Sequence, residues 1–91
     1  MNPLIERELE LLGETLAAKN ADYGDAAFRP PPLVDLTPAD ALLVRIGDKM
    51  RRLQKLAKEP ANVATETFDD TILDLAGYCL LYRAVKGTLT N

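Results

Sequence analysis

Proline punctuates this chain. Pro30, Pro31 and Pro32 stand side by side, and Pro60 follows later. Each ring fixes φ and removes a backbone donor. Three in succession favour a stiff, extended path, and the residue before Pro60 is steered away from helix. The chain is thereby cut into three stretches, and in each the apolar residues return every three or four positions, with no strand-like alternation. In the first, Ile5, Leu9, Leu12 and Leu16 form a stripe. Asn2 suits a cap and Pro3 the first helical position, which predicts a helix from about Pro3 to Lys19. Residues 20–36, with Asn20, Gly24 and the proline run, read as a long loop. In the second stretch Thr37-Pro38-Ala39-Asp40 is a helix start signal. That helix should run from about Pro38 to Lys58, with Leu42, Ile46, Met50, Leu53 and Leu56 as its core stripe. The third helix is expected over about 63 to 86, with Gly87 as a left-handed stop. Phe68, Ile72, Leu75, Cys79 and Tyr82 should line one face, widened by Leu73, Ala76 and Leu80. Gly77 inside it costs about 1 kcal/mol relative to Ala, which a close helix–helix approach can offset.

The expected fold is therefore all-α: one domain over residues 1–91, a three-helix antiparallel bundle-like chain with a Pro-rich loop between its first and second helices. A chain of 91 residues has a thin core, because a domain this small buries only about 60–65% of its unfolded surface. Oligomerisation is a common remedy. The broad apolar face of the third helix points the same way, so a homo-oligomer is expected, with bundles completed between chains.

Several function classes fall away. The chain has no His, which removes His-ligated zinc and Ser-His-Asp chemistry. Its one cysteine, Cys79, forbids an internal disulfide and suits a reducing, cytoplasmic setting. Among Leu75, Ala76, Leu80 and Leu81 it reads as a small buried hydrophobe. A net charge of −3 argues against duplex nucleic acid, which calls for a strongly basic face. No apolar run approaches the ~20 residues of a membrane span, and the acidic stretch Met1 to Glu14 does not read as a signal peptide.

Charge is nevertheless unevenly placed. Residues 45–58 carry Arg45, Lys49, Arg51, Arg52, Lys55 and Lys58 against Asp48 alone, whereas residues 66–74 carry Glu66, Asp69, Asp70 and Asp74 with no base. On a helical wheel Lys49 falls inside the apolar stripe, between Leu42 and Leu56, flanked by Arg45 and Arg52. An ammonium group there must snorkel out or meet a partner. Such a cationic ladder can grip phosphate oxygens; the plainer alternative is salt bridging to the third helix. Glu66, Asp70 and Asp74 recur every fourth residue, so they share a face and repel modestly. They point either to Mg²⁺, which is commonly held by one or two carboxylates plus substrate phosphate, or to the cations of the second helix. At the loop entry Lys19 could meet a phosphate, Tyr23 could stack on a base, and Asp22 could accept from a sugar hydroxyl or join a metal. Asp, Asn and Gly are also ordinary turn residues.

These pieces in this order resemble a known family. Lys19-Asn20-x-Asp22-Tyr23-Gly24-Asp25, then Arg45-Ile46-x-Asp48-Lys49-x-x-Arg52-Leu53, then Glu66-Thr67-x-Asp69-Asp70-Thr71-x-x-Asp74-Leu75-x-x-Tyr78 is similar to the nucleotide modification associated domain family, first type, which is common in bacteriophages. The likeness spans about residues 19–82. It implies an intracellular, phage-encoded protein linked to nucleotides, acting in the host cytoplasm. The characteristic positions are Lys19, Asp22, Tyr23, Arg45, Lys49 and Arg52 for the ligand, and Glu66, Asp70 and Asp74 for a metal. A looser likeness is to the all-helical MazG-type nucleotide pyrophosphohydrolases, which hold Mg²⁺ on Glu-x-x-Glu and Glu-x-x-Asp. Glu66-x-x-Asp69 fits the second half, whereas the helix matching the first half reads Arg45-x-x-Asp48. Three expectations follow. The first is a protein that binds or sequesters a phosphorylated nucleotide, such as a host immune signal or a modified-base precursor. The second is a Mg²⁺-dependent nucleotide phosphohydrolase. The third is an oligomerisation or partner-binding module whose charges only pair between helices.

Overall fold

The computed structural model describes residues 1–23, 25–59 and 67–90, with the backbone alone at 20–23 and 88–90. It contains three helices, α1 (Pro3–Tyr23), α2 (Pro38–Lys58) and α3 (Phe68–Thr90), plus a 3₁₀ turn at Ala26–Phe28 between the first two. The fold is all-α, as expected.

Local chemistry sets the helix starts. The Asn2 side chain accepts from the Leu4 amide at 2.8 Å, and Thr37 accepts from the Asp40 amide at 3.1 Å with Pro38 in the first turn. The third start lies later than the sequence predicts. Thr67 accepts from the Asp70 amide at 3.0 Å, and the Asp70 carboxylate accepts back from the Thr67 amide at 3.3 Å. This reciprocal capping box satisfies two donors of the first turn, and the first helical residue is therefore Phe68. The stops differ as well. α1 continues past Lys19 to Tyr23, so the connection is shorter than residues 20–36; Asp25 beyond it takes a left-handed φ of 60°. α3 runs through Gly87 to Thr90. Glycine permits a left-handed stop without compelling one.

α2 and α3 form the main pair, and they run antiparallel. Ala39 and Leu42 at the start of α2 pack with Val85 near the end of α3, and Ala27, Tyr78, Leu81 and Tyr82 gather around them. The seam follows alternating steps of three and four. On α2, Ala39, Leu42, Ile46, Lys49, Leu53 and Leu56 are buried or half-buried; on α3, Thr71, Asp74, Tyr78, Leu81 and Val85 are. This is coiled-coil spacing.

Two stripe assignments are corrected by it. Met50 is exposed, and its place in the α2 seam is taken by Lys49. On α3, Phe68, Ile72 and Cys79 are exposed, while Leu75 and Tyr82 are half-buried. The inward face is shifted because Thr71, fully buried, sits where an apolar residue was expected. Its hydroxyl donates to the Thr67 carbonyl at 3.0 Å, which removes the cost of burying it.

α1 meets α3 over a short stretch. A Cβ on the buried Gly77 would lie 3.3 Å from Leu16 Cδ2 and 3.9 Å from Leu12 Cδ1, so the close approach predicted at Gly77 is present. The first eleven residues of the chain are all exposed.

Candidate functional site

Each helix contributes one charge to a single cluster. Lys19 lies near the end of α1, Lys49 in the middle of α2, and Asp74 two turns into α3. Lys49 Nζ is 3.0 Å from Asp74 Oδ2, and Lys19 Nζ is 3.4 Å from Asp74 Oδ1. The antiparallel seam creates this meeting, because Lys49 and Asp74 occupy facing positions of the two apolar stripes. α1 crosses α3 at Gly77, which carries Lys19 to the other oxygen of the same carboxylate.

The three groups differ in exposure. The side chains of Lys49 and Asp74 are 25% and 26% exposed, whereas that of Lys19 is 49% exposed. Burial pushes the Asp74 carboxyl up, but the hydrogen bond from Lys49 and the charge of Lys19 outweigh it, and the carboxyl is held below its ordinary value of 3.8. Two cations around one carboxylate leave the cluster positive, inside a chain whose net charge is −3.

Lys19 and Asp74 border a small cleft between α1 and α3, floored by Leu12, Leu16 and Leu81 and edged by Thr15 and Tyr78. Its volume is about 20 Å³, enough for one water and far below the roughly 300 Å³ at which ligand pockets begin. A ligand at this place can bring an anionic group to the rim; the single chain does not enclose a base or a sugar there. Thr15 has no place in the sequence reading, because a threonine in mid-helix looks like any solvent-facing residue. Only the crossing of α1 over α3 marks it.

The other predicted site residues fall differently. Arg45 is exposed and Arg52 half-buried on the flank of the α2 seam. Asp70 is exposed and serves the capping box with Thr67. Asp74 and Asp70 therefore serve different partners, lysines in one case and a helix start in the other. Among the described residues no group of three or more potential ligands gathers for a metal. Asp74 is held by two ammonium groups, which a Mg²⁺ ion at that carboxylate would have to displace. Glu66 and the side chains of Asp22 and Tyr23 lie outside the described residues. Arg51 and Asp48 form an exposed pair at 3.0 Å, of the kind that contributes little. No described helix is long and apolar enough to cross a membrane.

Compared with known proteins, the chain matches no family model, no curated protein and no solved structure.

Proposed function

We propose that this chain binds a phosphorylated nucleotide, with its phosphate meeting the ammonium groups of Lys19 and Lys49 at the rim of the α1–α3 cleft. The observation that carries this reading is the convergence of two lysines from different helices on one carboxylate. Lys49 is fixed by the seam. Lys19 is half-exposed and held at 3.4 Å, so an arriving phosphate can recruit its ammonium at little cost. Phosphate offers more acceptor oxygens than Asp74 does, and charge-assisted contacts of this kind are strong. A nucleotide rather than a bare anion is what the motif resemblance noted in the sequence implies.

A thermal-shift panel of nucleotides, cyclic dinucleotides and ADP-ribose derivatives, run with and without Mg²⁺, tests the reading. A binding nucleotide should raise Tm. Lys19→Met should weaken its binding about tenfold or more, the scale of one charged hydrogen bond, with little change in the Tm of the free protein. The reading is lost if no member of the panel shifts Tm. Release of phosphate or pyrophosphate that requires Mg²⁺ would instead establish the phosphohydrolase.

The seam position of Lys49 favours a second reading, in which the Lys49–Asp74 pair only fixes the register of α2 against α3, as single polar residues do in coiled coils. Lys49→Met combined with Asp74→Leu separates the two. A purely structural pair can be replaced by apolar residues without loss of stability, and nucleotide binding would then survive the replacement.

A further inference from the structure

α1 is longer than its seat. Its stripe runs Ile5, Leu9, Leu12, Leu16, and only Leu12 and Leu16 reach Gly77 of α3. The N-terminal half continues the stripe into solvent, with Leu4 70%, Ile5 53% and Leu9 54% exposed. On the flank of the α2 seam, Leu43 and Met50 lie two turns apart and are both about half exposed. A compact monomer of this mass would expose roughly 5,200 Å², whereas this chain exposes 7036 Å². Its radius of gyration is 14.7 Å, against about 12 Å for a compact chain of its length. The whole-chain surface thus exceeds that of a compact monomer by roughly 1,800 Å², and the exposed Leu4, Ile5, Leu9, Leu43 and Met50 side chains are part of it.

Charge decides which faces meet. The first fourteen residues hold Glu6, Glu8, Glu10 and Glu14 against Arg7. Beside Leu43 and Met50, α2 carries exposed Lys55 and Lys58, and Arg51 paired with Asp48. Pairing α1 with another α1 would set acids against acids, whereas the lysines of the α2 face can meet them. We infer that a second copy of this chain covers each α1, so that the Leu4–Ile5–Leu9 segment of one protomer seats on the Leu43–Met50 face of its partner, reciprocally, with the α1 glutamates against the α2 bases. This dimer is independent of the nucleotide reading, although α1 also carries Lys19, so the same contact would hold one wall of the cleft in place.

Sedimentation equilibrium and light scattering on the full chain, without nucleotide, test the inference. The wild type should be dimeric at micromolar concentration. Met50→Glu and Leu9→Glu, both at exposed positions that the monomer fold does not use, should each give a folded monomer by circular dichroism. Glu6→Lys with Glu8→Lys, which flank the Ile5–Leu9 stripe, should weaken the dimer at least tenfold, and adding Lys55→Glu with Lys58→Glu should restore it. A wild-type monomer overturns the inference. So does a dimer indifferent to Met50→Glu, or one tightened by the α1 charge reversal alone, since both place the contact elsewhere. Should Met50→Glu unfold the chain, Met50→Gln at the same position carries the test by the same readout.

Discussion

An ammonium group in an apolar seam needs a partner, and Lys49 has one in Asp74 at 3.0 Å. The carboxylate in turn holds two cations, so its removal should be felt more than that of either lysine. Asp74→Asn should lower stability by about 1–2 kcal/mol near neutral pH, less than for a fully buried pair because the group is partly solvated. The pH dependence follows from the depressed carboxyl. Its stabilisation is complete above the unfolded value of 3.8 and is lost as pH falls through the lower folded value. Urea unfolding of the wild type should therefore weaken as pH drops below 3.8, and Asp74→Asn should flatten that part of the profile. An unchanged acid limb in the variant would show that Asp74 is not held by the lysines in solution.

At the level of the helix, two glycines invite opposite expectations. Gly87 lies within α3, and a Cβ there would meet nothing within 4 Å. Gly87→Ala should stabilise the chain by about 0.5–1 kcal/mol, whereas a left-handed stop at that position would make the same change destabilising. Gly77 is the seat of α1, where even a Cβ would press on Leu16 at 3.3 Å. Gly77→Val should cost about 1–3 kcal/mol through overpacking and should loosen α1 from α3. Chemical denaturation of the two variants side by side gives both signs. Helix starts were largely legible in the sequence, since Asn2 and the Thr37-Pro38 signal act within one turn. The start of α3 was hidden because its box closes with Asp at Asp70, a residue that the periodicity of acids had marked for a ligand.

For the molecule as a whole, the exposed surface is the dominant fact. Among the described residues the buried hydrophobic side chains are Ala39, Leu42, Leu56 and Val85, a small core for 91 residues. If the chain pairs as inferred above, association is part of its stability, and Tm should rise with protein concentration. Scanning calorimetry over a hundredfold range of concentration should show the rise in the wild type and a flat response in Met50→Glu. A flat response in the wild type would mean that the isolated chain carries its stability alone.

By itself the amino-acid sequence determined the helical class, the α2 boundaries, the close approach at Gly77 and the inward placement of Lys49. Each of these depends on spacing or on chemistry within one or two turns. Only the tertiary structure decided that Met50 is left out of the seam, that Thr71 is buried while Cys79 is not, and that Lys19 joins Lys49 at Asp74 while Asp70 caps its own helix. Hydrophobicity ranks Met above Lys and Cys above Thr, so a one-dimensional pattern selects the wrong face by one residue. The partner that makes a buried lysine or threonine affordable is supplied across helices, or by a carbonyl one turn back, and becomes visible only once the chain has folded.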